Sequence, residues 1–470
     1  MRFINDGWYG VISDDFNFNQ VKIVGKAIVR YLNSHELSKR HVAIAYDTRF
    51  LSYKYAELIA EVLTGNNIKC YMTERDVPEV CLMACVKNLK CSSGIMITAG
   101  NKNYSYNGIK FIPDYAGPAM SHISMEIERN IRLISDMEEE IEYKNYDQAL
   151  ALSQVEPVDM IQEYNKLVEK KIEFKKLKEN GLKIVIDCIN GPIRGVFHKI
   201  LGKSSDIIEI NSDYNPAFSE RTPDPEKDNL ESLSETVKNS EADLGVAFDS
   251  SGDRISFIDK NGNRLNRDVL LGIVLEYILK TKGKNGVVAK TTCTSNIIDK
   301  ICVTNGVELI ETYTGFKHIT EKVIKGKILF GCDHSGGYTF SEYIPYRDSI
   351  LFLLCIIEIM NVTDKSIIEL SEEFTEIHGQ YFSSKINIRV RDEEEKMRIL
   401  GKIKNIGVLF EKNSIKDQIQ KDGYKILFND NSFILIIAHP LVSEFSVFIE
   451  CNEKATLNTM EKQIRKFFDE

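Results

Sequence analysis

The sequence predicts an α/β protein: three similar mixed-sheet α/β units followed by a smaller α+β unit. Three observations lead there. Short apolar runs of strand length alternate with segments of helical period through most of the chain. Polar loops rich in Gly, Asp and Asn follow several of those runs directly, as happens where ligands meet the C-terminal ends of strands. The last hundred or so residues change character, with alternating strands separated and followed by helices. At 470 residues the chain exceeds one ordinary domain of roughly 150 residues. The expected division is 1–150, 151–262, 263–372 and 373–470.

The elements follow in order. Val21, Val24, Ile28 and Leu32 recur at helical spacing. Val42 to Tyr46 is a strand ending in Asp47-Thr48-Arg49, and a helix runs from about Tyr55 to Leu63. Gly94 to Ile97 reads as a buried strand with a polar loop at Gly100. The charged stretch Asp136 to Lys144 reads as a helical domain edge. Leu182 to Ile186 and Leu244 to Phe248 are strands, closed by Asn190-Gly191-Pro192 and by Asp249-Ser250-Ser251-Gly252-Asp253. Asp259 to Gly262 is a turn. Val287 to Ala289 and Ile328 to Phe330 are strands, the second leading to Gly331, and Ile350 to Met360 is an apolar helix. Lys385 to Val390 and Phe433 to Ile437 are strands of the last unit.

Composition narrows the class. Hydrophobic residues make up 43% and charged residues 27%, which is ordinary globular usage. A net charge of −9 speaks against a nucleic-acid binder. The longest apolar run, Ile350 to Ile357, falls far short of the roughly 20 residues of a membrane span, and no secretory leader is read at Met1 to Asn5. The ten cysteines are scattered without a CxxC, which fits a reducing compartment, so the expected location is the cytoplasm. Cys81 and Cys85 lie four apart on one helix face; a buried face accounts for them, with a metal pair or a disulfide as alternatives.

The loops carry a resemblance. Asp6-Gly7-Trp8 with Gly10 and Asp14-Asp15-Phe16, then Tyr46-Asp47-Thr48-Arg49, then Gly94-Ile-Met-Ile-Thr98-Ala99 with Tyr106-Asn107-Gly108-Ile109-Lys110 come first. Ala242-Asp243-Leu244-Gly245-Val-Ala-Phe-Asp249 ending in Asp253-Arg254, Thr314-Gly315-Phe316-Lys317, and Ser335-Gly336-Gly337 follow. In this order they resemble the α-D-phosphohexomutases, the phosphoglucomutase and phosphomannomutase superfamily. The resemblance implies a heart-shaped architecture of four domains. It also implies transfer of phosphate between the 1- and 6-positions of a hexose, through a phosphoserine, a magnesium ion and a sugar bisphosphate intermediate.

The loops also depart from that family. Its phosphoserine loop reads Thr-Ala-Ser-His-Asn-Pro; here Thr98-Ala99-Gly100-Asn101-Lys102-Asn103 stands in register. Gly100 occupies the nucleophile position and has no side-chain oxygen to carry a phosphoryl group. Thr98 and Ser105 are the neighbouring hydroxyls. Tyr9 stands where an Arg is expected, and a phenol lacks the fork that grips phosphate. The metal loop, three Asp in the family, reads Asp249, Ser251 and Asp253, so magnesium binding is expected to be weak or absent. As an alternative, both Asp cap the loop and pair with Arg254.

In the third domain Asp333 and Ser335 remain able to meet sugar hydroxyls, and His334 is a general acid or base by residue type, or else a solvated loop residue. The phosphate clamp, Arg-Pro-Ser-Gly-Thr-Glu-Pro in the family, matches Ile437-Ala438-His439-Pro440-Leu441-Val442-Ser443. Ile437 replaces the Arg, Pro440 removes an N–H, Leu441 is hydrocarbon, and His439 is the one candidate cation of that segment. Lys110, Arg254 and Lys317 match positions that the resemblance places near substrate, while Arg49 reads as structural.

The expected function is a catalytically inactive relative, a pseudoenzyme whose role is binding, scaffolding or regulation. A homo-oligomer or a complex with another protein is the expected form, with hexose phosphate as a candidate ligand. An active mutase using a non-standard site and a sugar-phosphate sensor without turnover are the competing readings.

Overall fold

The computed structural model describes residues 7–172, 181–202, 206–225, 229–326, 328–340, 342–410, 414–439 and 442–469. The chain divides into two compact units: Met1–Arg267 with Ile319–Lys327 and Ser335–Ile367, and Asp268–His318 with Ile328–His334 and Ile368–Glu470.

The first unit begins with a six-stranded sheet of β1 (Gly7–Val11), β2 (Val42–Tyr46), β3 (Cys70–Thr73), β4 (Ser93–Ile97), β5 (Tyr106–Pro113) and β6 (Val155–Val158), in the order β1-β5-β4-β2-β3-β6. β2 and β4 are parallel, with Tyr46 beside Ile97, so the segments that follow them leave from one edge of the sheet. That register brings Asp47-Thr48-Arg49 next to the loop around Gly100. The helix Phe18–Ser34 packs on this sheet because Val21, Val24, Ile28 and Leu32 form its buried stripe. Its first turn is capped by Asn17, whose side chain accepts from Gln20 N at 3.1 Å.

The second sheet of this unit holds β7 (Lys183–Asp187), β8 (Asp206–Ile210), β9 (Leu244–Phe248) and β10 (Ile255–Asp259), in the order β10-β9-β7-β8. β9 and β10 are antiparallel, and the loop 249–254 is their connection.

In the second unit β11 (Val287–Thr291) lies between β12 (Glu308–Thr312) and β13 (Ile328–Cys332), all parallel. The segments after them, at Thr292, Tyr313 and Asp333, therefore share one edge. The strand β14 (Tyr338–Phe340) and the apolar helix Ser349–Thr363 belong to the first unit. The C-terminal sheet is antiparallel throughout, β15 (Phe382–Arg389), β16 (Ile415–Ile419), β17 (Tyr424–Phe428), β18 (Phe433–Ala438) and β19 (Glu444–Cys451) in the order β15-β19-β18-β17-β16. Helices Glu393–Ile403 and Lys454–Asp469 contribute Ile399, Leu457 and Ile464 to its core. The α/β class, with three sheet-and-helix domains before an antiparallel one, is the class the sequence predicts.

One expected element is corrected. The charged stretch from Asp136 to Lys144 is not helical: the helix Ser121–Asp136 ends where the stretch begins. Glu138 takes a left-handed φ of 45°, and Glu139 and Glu142 turn back to pair with Arg30 and Lys26 of the helix Phe18–Ser34. Tertiary ion pairs override local helix propensity there. Cys81 and Cys85 lie buried in the helix Glu79–Asn88, and all ten cysteines are free thiols in buried positions.

Candidate active-site loops

At position 100 the backbone takes φ +57°, a conformation that glycine adopts at little cost, and a Cβ built there would meet nothing within 4 Å. The neighbouring hydroxyls are already committed. Thr98 Oγ1 donates to Asp47 Oδ2 at 2.6 Å and accepts from Gly100 N at 3.1 Å, and Ser105 Oγ donates to Asn103 Oδ1 at 2.5 Å. Gly108 supports the loop from the next strand, where a Cβ would sit 2.6 Å from the Thr98 carbonyl oxygen.

Arg49 holds this loop in shape. Its buried guanidinium donates to the carbonyls of Gly100 (2.6 Å), Lys102 (2.6 Å), Asn103 (2.7 Å) and Tyr106 (3.0 Å), while Nε reaches Asp47 Oδ2 at 3.2 Å. Burial pulls the Arg49 pKa down and pushes that of Asp47 up, each opposed by the other's charge. Arg49 is a structural clamp, as its position after Asp47 suggests. Lys102 lies 5.8 Å over the Tyr9 ring and 5.5 Å over that of Tyr106.

The loop after β9 is closed on itself. Asp249 Oδ1 accepts from Asp253 N at 2.7 Å and Arg254 N at 3.1 Å, and Oδ2 accepts from Ser251 Oγ at 2.9 Å. Burial, then the Asp253 charge, push Asp249 up to about 6. Asp253 Oδ2 accepts from Tyr346 Oη at 2.9 Å and stands 3.9 Å from Lys110 Nζ, which pairs with Glu79 Oε2 at 2.6 Å. The Arg254 guanidinium turns to Asp224 Oδ2 at 2.7 Å, an oxygen that also accepts from Asn101 Nδ2 at 2.6 Å. Of the alternative in which both acids cap the loop and pair with Arg254, Asp249 does cap the loop, while Asp253 bonds Tyr346 and the Arg254 side chain pairs with Asp224. Ser250 Oγ donates to the Gly100 carbonyl and so ties the loop after β9 to the loop after β4.

This donor set does not fit a magnesium ion. The ion prefers several hard, preferably anionic oxygens in octahedral array. Here one oxygen of Asp249 is taken by two backbone N–H groups, the residue between the two acids offers a neutral hydroxyl, and an ammonium already faces Asp253. Among the described residues, no group of three or more His, Cys, Asp or Glu is placed to hold a metal.

Also in the first unit, Ser335 is buried and its Oγ accepts from Arg347 Nη1 at 3.2 Å. In the second unit the shared strand edge brings Cys293 and His334 together, with Sγ and Nδ1 3.2 Å apart. The His334 ring packs edge-on to Phe448, and Asp333 beside it is buried. Burial pushes the Cys293 thiol up to about 11. Lys317 opens the helix Phe316–Ile324 and is half-buried. The Asp422 carboxylate accepts from Thr314 N and from Thr292 Oγ1, the latter at 2.6 Å.

The segment matched to the phosphate clamp begins with the last two residues of β18, Ile437 and Ala438. Ile437 pairs with Ser446 and packs on the apolar cluster of Cys293, Phe433, Leu435 and Phe448. His439 Nε2 lies 3.2 Å from Ser446 Oγ and 3.8 Å from Glu444 Oε1. Pro440 and Leu441 lie outside the described residues, as does Asp6 of the first motif.

Sequence reasoning missed Glu79, Asp224, Ser250, Tyr346 and Asp422, whose partners lie far away along the chain. Ser250 alone had a local signal, a hydroxyl inside a loop already singled out.

Comparison with known proteins agrees with the loops. Residues 1–137, 162–262 and 266–377 match the models for phosphoglucomutase/phosphomannomutase alpha/beta/alpha domains I, II and III. A Thermococcus kodakarensis protein named phosphoglucomutase/phosphomannomutase is 24% identical over 447 residues, 94% of this chain and 93% of that one. A Campylobacter curvus phosphoglucosamine mutase is 27% identical over 400 residues, 82% of each. A crystal structure from Thermus thermophilus, named as a phosphomannomutase, superimposes with a TM-score of 0.85 at 22% identity, covering 100% of this chain and 99% of that one. With the motifs, the sheets and these matches in agreement, the chain belongs to the α-D-phosphohexomutase superfamily.

Proposed function

We propose that this chain keeps the phosphohexomutase scaffold without mutase turnover, and that its role is binding, scaffolding or regulation in the cytoplasm. The observation that carries the reading is position 100, where no side-chain oxygen exists to hold a phosphoryl group. The nearby hydroxyls of Thr98, Ser105 and Ser250 are each spent on an internal hydrogen bond. The retained cations support it further, since Lys110 pairs with Glu79 and Arg254 with Asp224. At the matched clamp Ile437 is hydrocarbon and His439 stands beside Glu444. The reading takes four domains, 1–150, 151–262, 263–372 and 373–470, with their phosphoserine, metal and phosphate loops altered and the third-domain loop least changed.

A coupled mutase assay with glucose 1-phosphate, mannose 1-phosphate and glucosamine 1-phosphate, each with its bisphosphate activator, tests this. Glucosamine 1-phosphate is included because relatives are named phosphoglucosamine mutases. Turnover above about 1 per second, within the ordinary enzyme range, would overturn the proposal.

A sugar-phosphate sensor is the second reading. An Aspergillus fumigatus N-acetylphosphoglucosamine mutase of this fold was solved with GlcNAc-6P and magnesium, and the third-domain residues Lys317, Asp333, His334 and Ser335 remain polar here. Calorimetry with the same hexose phosphates separates sensor from scaffold.

A further inference from the structure

We propose that the Lys110 ammonium is the resident cation of the former metal loop, so that the loop is held by an internal charge rather than by a divalent ion. This rests on the reading of the chain as a mutase scaffold without turnover and adds a role for Lys110 beyond its pairing with Glu79.

Glu79 is 0% exposed, Asp249 1%, Tyr346 2%, and Asp253 and Lys110 6% each. Buried carboxylates persist as anions only when a cation or donors compensate them. Asp249 has its compensation in two backbone N–H groups and the Ser251 hydroxyl. Asp253 has less: Tyr346 serves Oδ2, while Oδ1 has no hydrogen-bond partner among the described residues. The cation placed to offset it is Lys110, 3.9 Å from Oδ2 and anchored at 2.6 Å on Glu79. Lys110 lies on β5 and Glu79 opens the helix Glu79–Asn88, so regular elements fix the pair. Glu79 N also reaches the Ser251 carbonyl at 3.4 Å, which ties the helix start to the loop. A single charge anchored on rigid elements does locally what a bound ion would do, with no ion to lose.

Thermal melting and calorimetry of the full chain with magnesium chloride, manganese chloride or EDTA test this. The wild type is expected to show no binding heat at millimolar metal and a melting midpoint unchanged to within about 1 °C. Lys110→Met should melt lower and recover part of the loss in millimolar magnesium. If that variant does not fold, Ser251→Asp serves instead, and is expected to acquire a magnesium response that the wild type lacks. Saturable magnesium binding by the wild type that Asp253→Asn abolishes would overturn the inference. Such binding without turnover would leave the proposed function standing, whereas turnover in the coupled assay would remove that function whatever the metal result.

Discussion

Asn101 and Asp224 meet at 2.6 Å, Nδ2 to Oδ2, and the same carboxylate oxygen receives Arg254 at 2.7 Å. One acid from the segment before β9 thus joins a residue of the loop after β4 to a cation of the loop after β9.

Replacing that acid should change both stability and ligand response. Asp224→Asn is expected to lower stability by about 1–3 kcal/mol, because two charge-assisted hydrogen bonds weaken in a mostly buried place. It also releases Arg254 from its ion pair. Urea unfolding reads the first effect; hexose phosphate calorimetry reads the second, with tighter binding expected in the variant than in the wild type.

On the proposed function, a hydroxyl placed at position 100 should not by itself produce a mutase. Gly100→Ser has room for its side chain, since nothing lies within 4 Å, but φ +57° costs the variant about 1 kcal/mol. The protein is expected to fold with a slightly lower melting midpoint and to show no turnover, because the metal donors and the clamp are unchanged. Mass spectrometry after incubation with a sugar bisphosphate checks for a phosphoserine.

Removing Arg49 should be far more damaging. Arg49→Ala leaves Asp47 buried without its cation and four loop carbonyls without their donor, at an expected cost of about 3–5 kcal/mol. Arg49→Lys should recover only a small part, since one ammonium cannot reproduce the planar fork. Denaturant midpoints of the two variants decide this.

Asp348 should set part of the pH dependence of stability. It caps the helix Ser349–Thr363, accepts from Leu351 N at 2.9 Å and from the hydroxyls of Tyr164 and Tyr343, and burial pushes it up to about 6. A raised folded pKa means that folding favours the protonated acid. Its contribution is full below the unfolded value near 3.8 and is lost as pH rises through about 6. The loss amounts to about 3 kcal/mol across that window. Asp348→Asn should flatten the dependence of the urea midpoint between those values relative to the wild type.

Much of the fold was legible because burial leaves a periodic mark. The stripe of Val21, Val24, Ile28 and Leu32 and the apolar run of β4 are such marks. β16 leaves no such mark because it is largely exposed and its Ile-Lys-Asp-Gln-Ile lacks a buried face. The stretch from Asp136 to Lys144 misled because its charges serve Lys26 and Arg30, more than a hundred residues earlier. The same limit applies to the site. The loop around Gly100 is singled out by its register with a motif, but nothing near Glu79 announces Lys110, and nothing near Asp224 announces Asn101. Pairings made by folding leave no local trace.

The sheltering of all ten thiols has a practical consequence. The folded surface is chemically quiet toward maleimides and other thiol reagents, so a cysteine introduced at an open position such as Val303, 82% exposed, becomes a single address for a cross-linker or dye. The chain thereby carries a blank background on which a neighbour can be caught and its point of approach mapped.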